Sequence, residues 1–218
     1  MNTDAFKDIL LKHWASMPED SAHDLAHVQR VVRMAQRIAA DEGGDLSIIL
    51  PAAWLHDLVN LPKNHPDRAK ASVLAADLAV KELEAIGYDA DKLPAIHHTI
   101  AAHSFSAGIP AETLEAQIVQ DADRLDSLGA IGMARTFAVS GALGRALFHP
   151  EDPLATERDA DDSVYGLDHF EIKLYRIAQT LHTKCAKLIA AQRVSFMKEF
   201  CAQIAEEATP ADTQGQAA

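Results

Sequence analysis

Two histidines and a small group of aspartates give this chain the means to hold a cation. His27 shares a helical face with Val31, Met34 and Ile38, and His56 shares one with Ile49, Ala52 and Ala53, so both imidazoles point inward. A lone inward histidine is commonly a hydrogen-bonded core residue; what changes the reading here is company. Asp57 follows His56 directly, and a carboxylate at the inner end of an apolar helix needs a cation or several donors to offset its desolvation. Further along, QDADRLD sets an acidic cluster inside an otherwise apolar stretch from Ile118 to Ile131. Helical spacing puts Asp123 and Asp126 on one face and turns Asp121 away, so one or two of these carboxylates can reach a common centre. Two imidazoles and two carboxylates form a mixed nitrogen and oxygen set suited to one divalent ion: manganese, nickel, cobalt, iron(II) or magnesium. A cation so held lowers the pKa of coordinated water and neutralises phosphoryl oxygens, which makes hydrolysis of a phosphate ester or anhydride its natural use.

Helices must bring these side chains together. Alanine-rich segments with apolar residues at three-and-four spacing recur from end to end, and nothing reads as a strand, so the fold class is all-α, a helical bundle. The pattern predicts helices near residues 4–16, 22–42, 47–58, 67–86, 91–103, 112–126, 128–141 and 168–207. Ser21 and Ser47 are candidate caps for the second and third helices, Gly43-Gly44 ends the second, and Pro51 is tolerated if it falls in the opening turn of the third. The segment from 142 to 167 has no sustained period and is too long for a plain connector, which makes it a candidate lid. Residues 1–207 are expected to form one domain and 208–218, small and polar, a flexible C-terminal tail.

Composition narrows the partners. A formal charge of -12 over 218 residues repels nucleic-acid backbone and anionic membrane, so no nucleic acid and no membrane partner is expected and any phosphate site must be local. No apolar stretch has the length of a bilayer span, and MNTDAFKDIL lacks the basic-then-apolar layout of a secretory signal, so the expected location is cytoplasmic. Cys185 and Cys201, read onto one helix, stand roughly 24 Å apart and cannot pair with each other.

Taken in order, HDLAHVQRV, AAWLHDLV and IVQDADRLDSLGAIGMARTF give the pattern H…HD…D, which resembles the HD-domain superfamily of metal-dependent phosphohydrolases. The runs VNLPKNHPDRAKAS, IAAHSFSAGIP and DHFEIKLYRIAQTLHTKCAKLIA extend the resemblance, to its YedJ and YpgQ branch, over nearly the whole chain. The resemblance implies an HD-domain bundle in which His27, His56, Asp57 and Asp123 are the metal ligands of a single divalent ion. Mn2+ is favoured, with Ni2+, Co2+, Mg2+ and Fe2+ as the other candidates. His103 matches a position near the pocket and could orient phosphate or relay a proton. His98 could join it on a second metal, as in two-metal relatives. Some HD enzymes carry an acidic residue three places after the His-Asp pair. Here that place is Asn60, which leaves Asp126, His103 or Asp57 itself to accept the proton.

For the substrate side, PKNHPDRAK concentrates Lys63, His65, Arg68 and Lys70 in an acidic chain, and Lys63 and Arg68 are expected to meet a polyphosphate. His23, one helical turn before His27, reads as a pocket neighbour. The relatives suggest hydrolysis of nucleoside or deoxynucleoside triphosphates to monophosphate and pyrophosphate, so the partner is a small phosphorylated molecule, a nucleotide. A nucleotide monophosphatase or phosphodiesterase on the same site, or a non-catalytic nucleotide or metal sensor, are the alternatives. Exposed apolar faces on such bundles can also form a homodimer, which spacing alone leaves open.

Overall fold

Amphipathic patterning produces helices throughout. A computed structural model describes residues 3–15, 24–59, 61, 65–104 and 107–208, and no β-strand occurs among them, apart from an isolated bridge between Ala146 and Tyr165. None of its helices is long and apolar enough to cross a membrane. Ser21, His23, Asn60 and Lys63, all singled out from sequence, lie outside the described residues, as does the tail from 209 onward. The chain divides into two compact units, Met1–Asp126 with Leu181–Lys187, and Ser127–Thr180 with Leu188–Ala218.

The first unit contains α1 (Asp4–Trp14), α2 (Leu25–Glu42), α3 (Leu46–Leu55), α4 (Ala71–Ala85), α5 (Leu93–His103) and α6 (Leu114–Asp126). At its centre is α3, apolar on every side, with all residues from Ile48 to Leu55 buried, and it packs against α2, α5 and α6. A helix with no polar face must be wrapped by others. Its N-cap is Asp45 and not Ser47: the carboxylate accepts from both Ser47 N at 2.8 Å and Ser47 Oγ at 2.6 Å, so the serine supports the cap it was expected to supply. Pro51 lies mid-helix, where its missing N–H would leave the Ser47 carbonyl without its usual donor. The Tyr88 hydroxyl fills that place, donating to Ser47 O at 2.6 Å. For α2 the cap is Asp24, whose side chain accepts from His27 N at 2.7 Å.

The expected last helix, 168–207, is three pieces: a π-helical turn Phe170–Leu174, α8 (Tyr175–Gln179) and α9 (Lys184–Ala208), the last preceded by a break. Asp121, fully buried on α6, explains the break within the first unit. Its carboxylate accepts from His182 N at 3.0 Å, Thr183 N at 2.8 Å and Thr183 Oγ1 at 2.8 Å, so the backbone there is drawn out of the helical ladder. The neighbouring Gln120 donates to Ala102 O and accepts from His182 Nε2, both at 2.6 Å, tying the end of α5 to the same segment.

In the second unit, α7 (Gly129–Ala142) presents Phe137 to Phe170 and Phe200, with ring centroids 5.8 and 6.0 Å away, so this aromatic packs in a core. The candidate lid is fixed by its own polar contacts. Arg158 makes two bonds to buried Asp168, at 2.6 and 2.8 Å, while Asp152 accepts from Thr156 N and Glu157 N. Cys185 and Cys201 are free and buried.

Replacing Asp121 with alanine strands the buried N–H and hydroxyl of Thr183 and the part-buried N–H of His182, so Asp121→Ala should cost about 2–4 kcal/mol in chemical denaturation. A loss below about 0.5 kcal/mol would show that the carboxylate does not hold the start of α9.

Candidate metal centre

Three helix ends supply the chemistry. His27 lies in the first turn of α2, 2% exposed, and His56 is the fully buried cap residue that ends α3, with Asp57 in the turn beyond. His103 closes α5 and is also buried. The imidazoles of His56 and His103 use one local device: each Nδ1 sits against the carbonyl three residues earlier, Ala53 O at 2.9 Å and Ile100 O at 2.6 Å. A carbonyl can only accept, so Nδ1 carries the proton and each Nε2 presents a lone pair. Carbonyls at a helix C-terminus lack intrahelical donors, which is why histidine is well placed there.

Those lone pairs converge on Asp57. Its Oδ2 stands 3.4 Å from His56 Nε2 and 3.6 Å from His27 Nε2, and its Oδ1 stands 3.7 Å from His103 Nε2. Asp123 Oδ1, from α6, lies 3.5 Å from His27 Nε2 and 3.9 Å from His56 Nε2. His27, His56 and Asp57 form a group whose donor atoms all lie within 4.8 Å of one another. Ligand atoms about 2.1 Å from a shared ion stand roughly 3.0–3.4 Å apart at angles from square to tetrahedral, so the observed spacings are slightly wide of a closed shell. His56 Nε2 is buried with no hydrogen-bond partner, which an ion would satisfy. The donor set and this orphaned nitrogen both fit a divalent cation.

Behind the candidate ligands, Asp126 Oδ2 accepts from His27 Nδ1 at 2.7 Å, and the Arg30 guanidinium bonds both Asp126 oxygens, at 2.7 and 3.0 Å. Burial opposes charge on both partners. Even so, contacts to Asp126 and Asp57 with the charge of Asp123 push the His27 imidazole up to about 9, and His27 with Arg30 holds the Asp126 carboxyl well below its ordinary range. Burial, with His56 adjacent, pushes His103 down and keeps it neutral.

The remaining sequence candidates are placed as follows. Arg68 donates to the Leu61 carbonyl, while Lys70 pairs with Asp67 at 2.7 Å and is exposed. His97 pairs with Asp77, and His98 accepts from Glu112 N, so neither joins the cluster. Two residues were missed. Arg30 lies three places after His27, on its face, and an inward cation there was a legible signal. Trp14, whose Nε1 donates to the Asp57 carbonyl at 3.2 Å, left no sign in spacing because it arrives from α1.

Comparison with known proteins identifies the family. Residues 24–128, which contain all four candidate ligands, match the HD domain family. Over 200 residues, 90% of this chain and 89% of the relative, the sequence is 34% identical to YpgQ of Bacillus subtilis (strain 168). Among solved structures, an HD-superfamily hydrolase of Bacillus thuringiensis superposes with a TM-score of 0.73 at 31% identity, covering 94% of this chain and 95% of that one. Bacillus subtilis YpgQ in complex with ADP gives 0.70 at 31% identity, covering 93% and 97%.

Metal uptake should raise the melting temperature of the metal-free protein, by about 2.7 kcal/mol of added stability at a hundredfold excess over Kd. His56→Ala and Asp123→Ala should each remove that gain. Because the His27 proton must leave, uptake should release protons and weaken as pH falls below about 9, which titration calorimetry in buffers of different ionisation enthalpy will detect. Undiminished stabilisation of either variant by the ion would place it elsewhere.

Proposed function

The chain belongs to the HD-domain family, and on that premise we propose that it is a cytoplasmic, metal-dependent nucleotide pyrophosphohydrolase, cleaving nucleoside or deoxynucleoside triphosphates to monophosphate and pyrophosphate. The observation that carries the reading is the double role of Asp57, one oxygen facing His27 and His56 and the other facing His103. His27, His56, Asp57 and Asp123 would hold one divalent ion, Mn2+ favoured. When bound, that ion would supply acidity to a coordinated water and neutralise phosphoryl oxygen.

The protein's own groups do the rest. His103 Nε2 and Asp57 Oδ1 are both acceptors, 3.7 Å apart, so a water lying beside them can donate to each at once. His103, neutral through burial and with Nδ1 fixed on Ile100 O, takes the proton as the water attacks the α-phosphorus. Asp126 is the weaker candidate for that proton, since its oxygens already accept from His27 and Arg30. Lys63 and Arg68, from the basic run, counter the charge of the departing pyrophosphate, and His23 borders the substrate. The ADP bound to YpgQ supports a nucleotide as the substrate class.

A screen of nucleoside and deoxynucleoside triphosphates with Mn2+, Ni2+, Co2+ and Mg2+ tests this directly. Pyrophosphate release in step with monophosphate is expected. Orthophosphate alone would favour a monophosphatase, and nucleotide-induced stabilisation without turnover would favour a sensor. His103→Gln should lower kcat by about 10²–10⁴ with Mn2+ affinity within a few-fold of the unaltered protein. An unchanged kcat would remove His103 from the proton path.

A further inference from the structure

His27 reaches the centre through Nε2, so whatever fixes its ring must act on the opposite edge. That edge meets Asp126 Oδ2 at 2.7 Å, on a carboxylate that is 6% exposed. A carboxylate held by one hydrogen bond can swing about it. Asp126 cannot, because Arg30 grips it as a fork, Nε to Oδ1 at 2.7 Å and Nη2 to Oδ2 at 3.0 Å. The clamp also joins two helices, Arg30 and His27 being three residues apart on α2 while Asp126 ends α6. The ring is thus fixed from its own helix by way of a neighbour.

We propose that Arg30 is a positioning residue of the metal centre: by clamping Asp126 it aims His27 Nε2 at Asp57 and Asp123, and so sets the affinity of the site for a divalent ion. This deepens the metal-centre reading and rests on it, and it is independent of which phosphate compound is cleaved. The sign of the effect separates it from plain electrostatics. Arg30 is a positive charge near a cation site, so by Coulomb's law alone its removal tightens binding of a dication. Positioning demands the reverse, because partners behind a metal-binding histidine set affinity by orientation, typically by 10–100-fold.

The test uses the full chain and Mn2+ alone, with binding followed by electron paramagnetic resonance of the free ion. Arg30→Gln should weaken Mn2+ binding by about 10–100-fold. Arg33→Gln, which removes the same charge from an exposed position on the same helix, should leave it unchanged or slightly tighter. Arg30→Lys keeps the charge without the fork and should fall between. If Arg30 acts through Asp126, the double variant Arg30→Gln with Asp126→Asn binds no more weakly than Asp126→Asn alone. Unchanged or tighter binding in Arg30→Gln, with only a lower melting temperature, overturns the proposal, as does additivity in the double variant. Should Arg30→Gln not fold, Arg30→Lys carries the comparison, and undiminished affinity there overturns it equally. Failure of the unaltered protein to bind Mn2+ would overturn the metal-centre reading itself and the proposal with it.

Discussion

Buried lone pairs facing one another are the constraint on which the first unit is organised. His56 and His103 each spend their only N–H on a carbonyl of their own helix, so both turn an acceptor toward Asp57, itself an acceptor. Asp123 adds a further carboxylate oxygen within 3.9 Å of the His27 and His56 imidazoles. Such an arrangement is unfavourable in a low-dielectric interior without positive charge among the oxygens and nitrogens. In the metal-free molecule His27 answers that need by holding a proton, and a divalent ion answers it more fully.

Everything that surrounds the centre limits how its donors can move. An all-apolar α3 is wrapped by α2, α5 and α6, which fixes where its end, His56 with Asp57, emerges. The proline inside α3 weakens the ladder there, and Tyr88 repairs it by donating to the Ser47 carbonyl. Trp14 pins the main chain of Asp57 from α1, and Gln120 holds the carbonyl of Ala102, next to His103. The contacts of Trp14 and Gln120 come from different helices to helix ends that would otherwise fray, and that of Tyr88 comes from the connection after α4. Placement of the four candidate donors is therefore spread over five helices and the connection after α4.

Much of this was legible in the residues because the chemistry lies on strongly periodic helices. His27 and His56 sit at apolar spacing, and Asp57 beside His56 marked the inner end of a buried element. Asp121, turned away from Asp123 by helical geometry, does face elsewhere, onto the start of α9. What escaped was every contact that depends on a distant segment. The break before α9 follows from a carboxylate about sixty residues earlier, and local propensity in YRIAQTLHTKCAKLIA gives no reason to stop. Asp45 outcompeted Ser47 as the cap because a carboxylate takes two bonds from the serine at once, a difference of charge that pattern alone does not weigh.

Charge arithmetic ties the centre to the basic run. One divalent ion against the carboxylates of Asp57 and Asp123 reaches formal neutrality and no more, while the chain as a whole carries -12. On the proposed reading, a neutral centre in an acidic protein would offer a triphosphate coordination but little attraction at long range. Further positive charge must come from the chain itself, and one local supply in the sequence is Lys63, His65, Arg68 and Lys70, shortly after the candidate ligand pair His56-Asp57. Lys70 is already paired with Asp67 in the open, so the proposed reading assigns the polyphosphate to Lys63 and Arg68. The candidate ligands His56 and Asp57 and the proposed polyphosphate cations Lys63 and Arg68 are thus near neighbours in the sequence, so one short stretch of chain carries both kinds of group that the proposed reading requires.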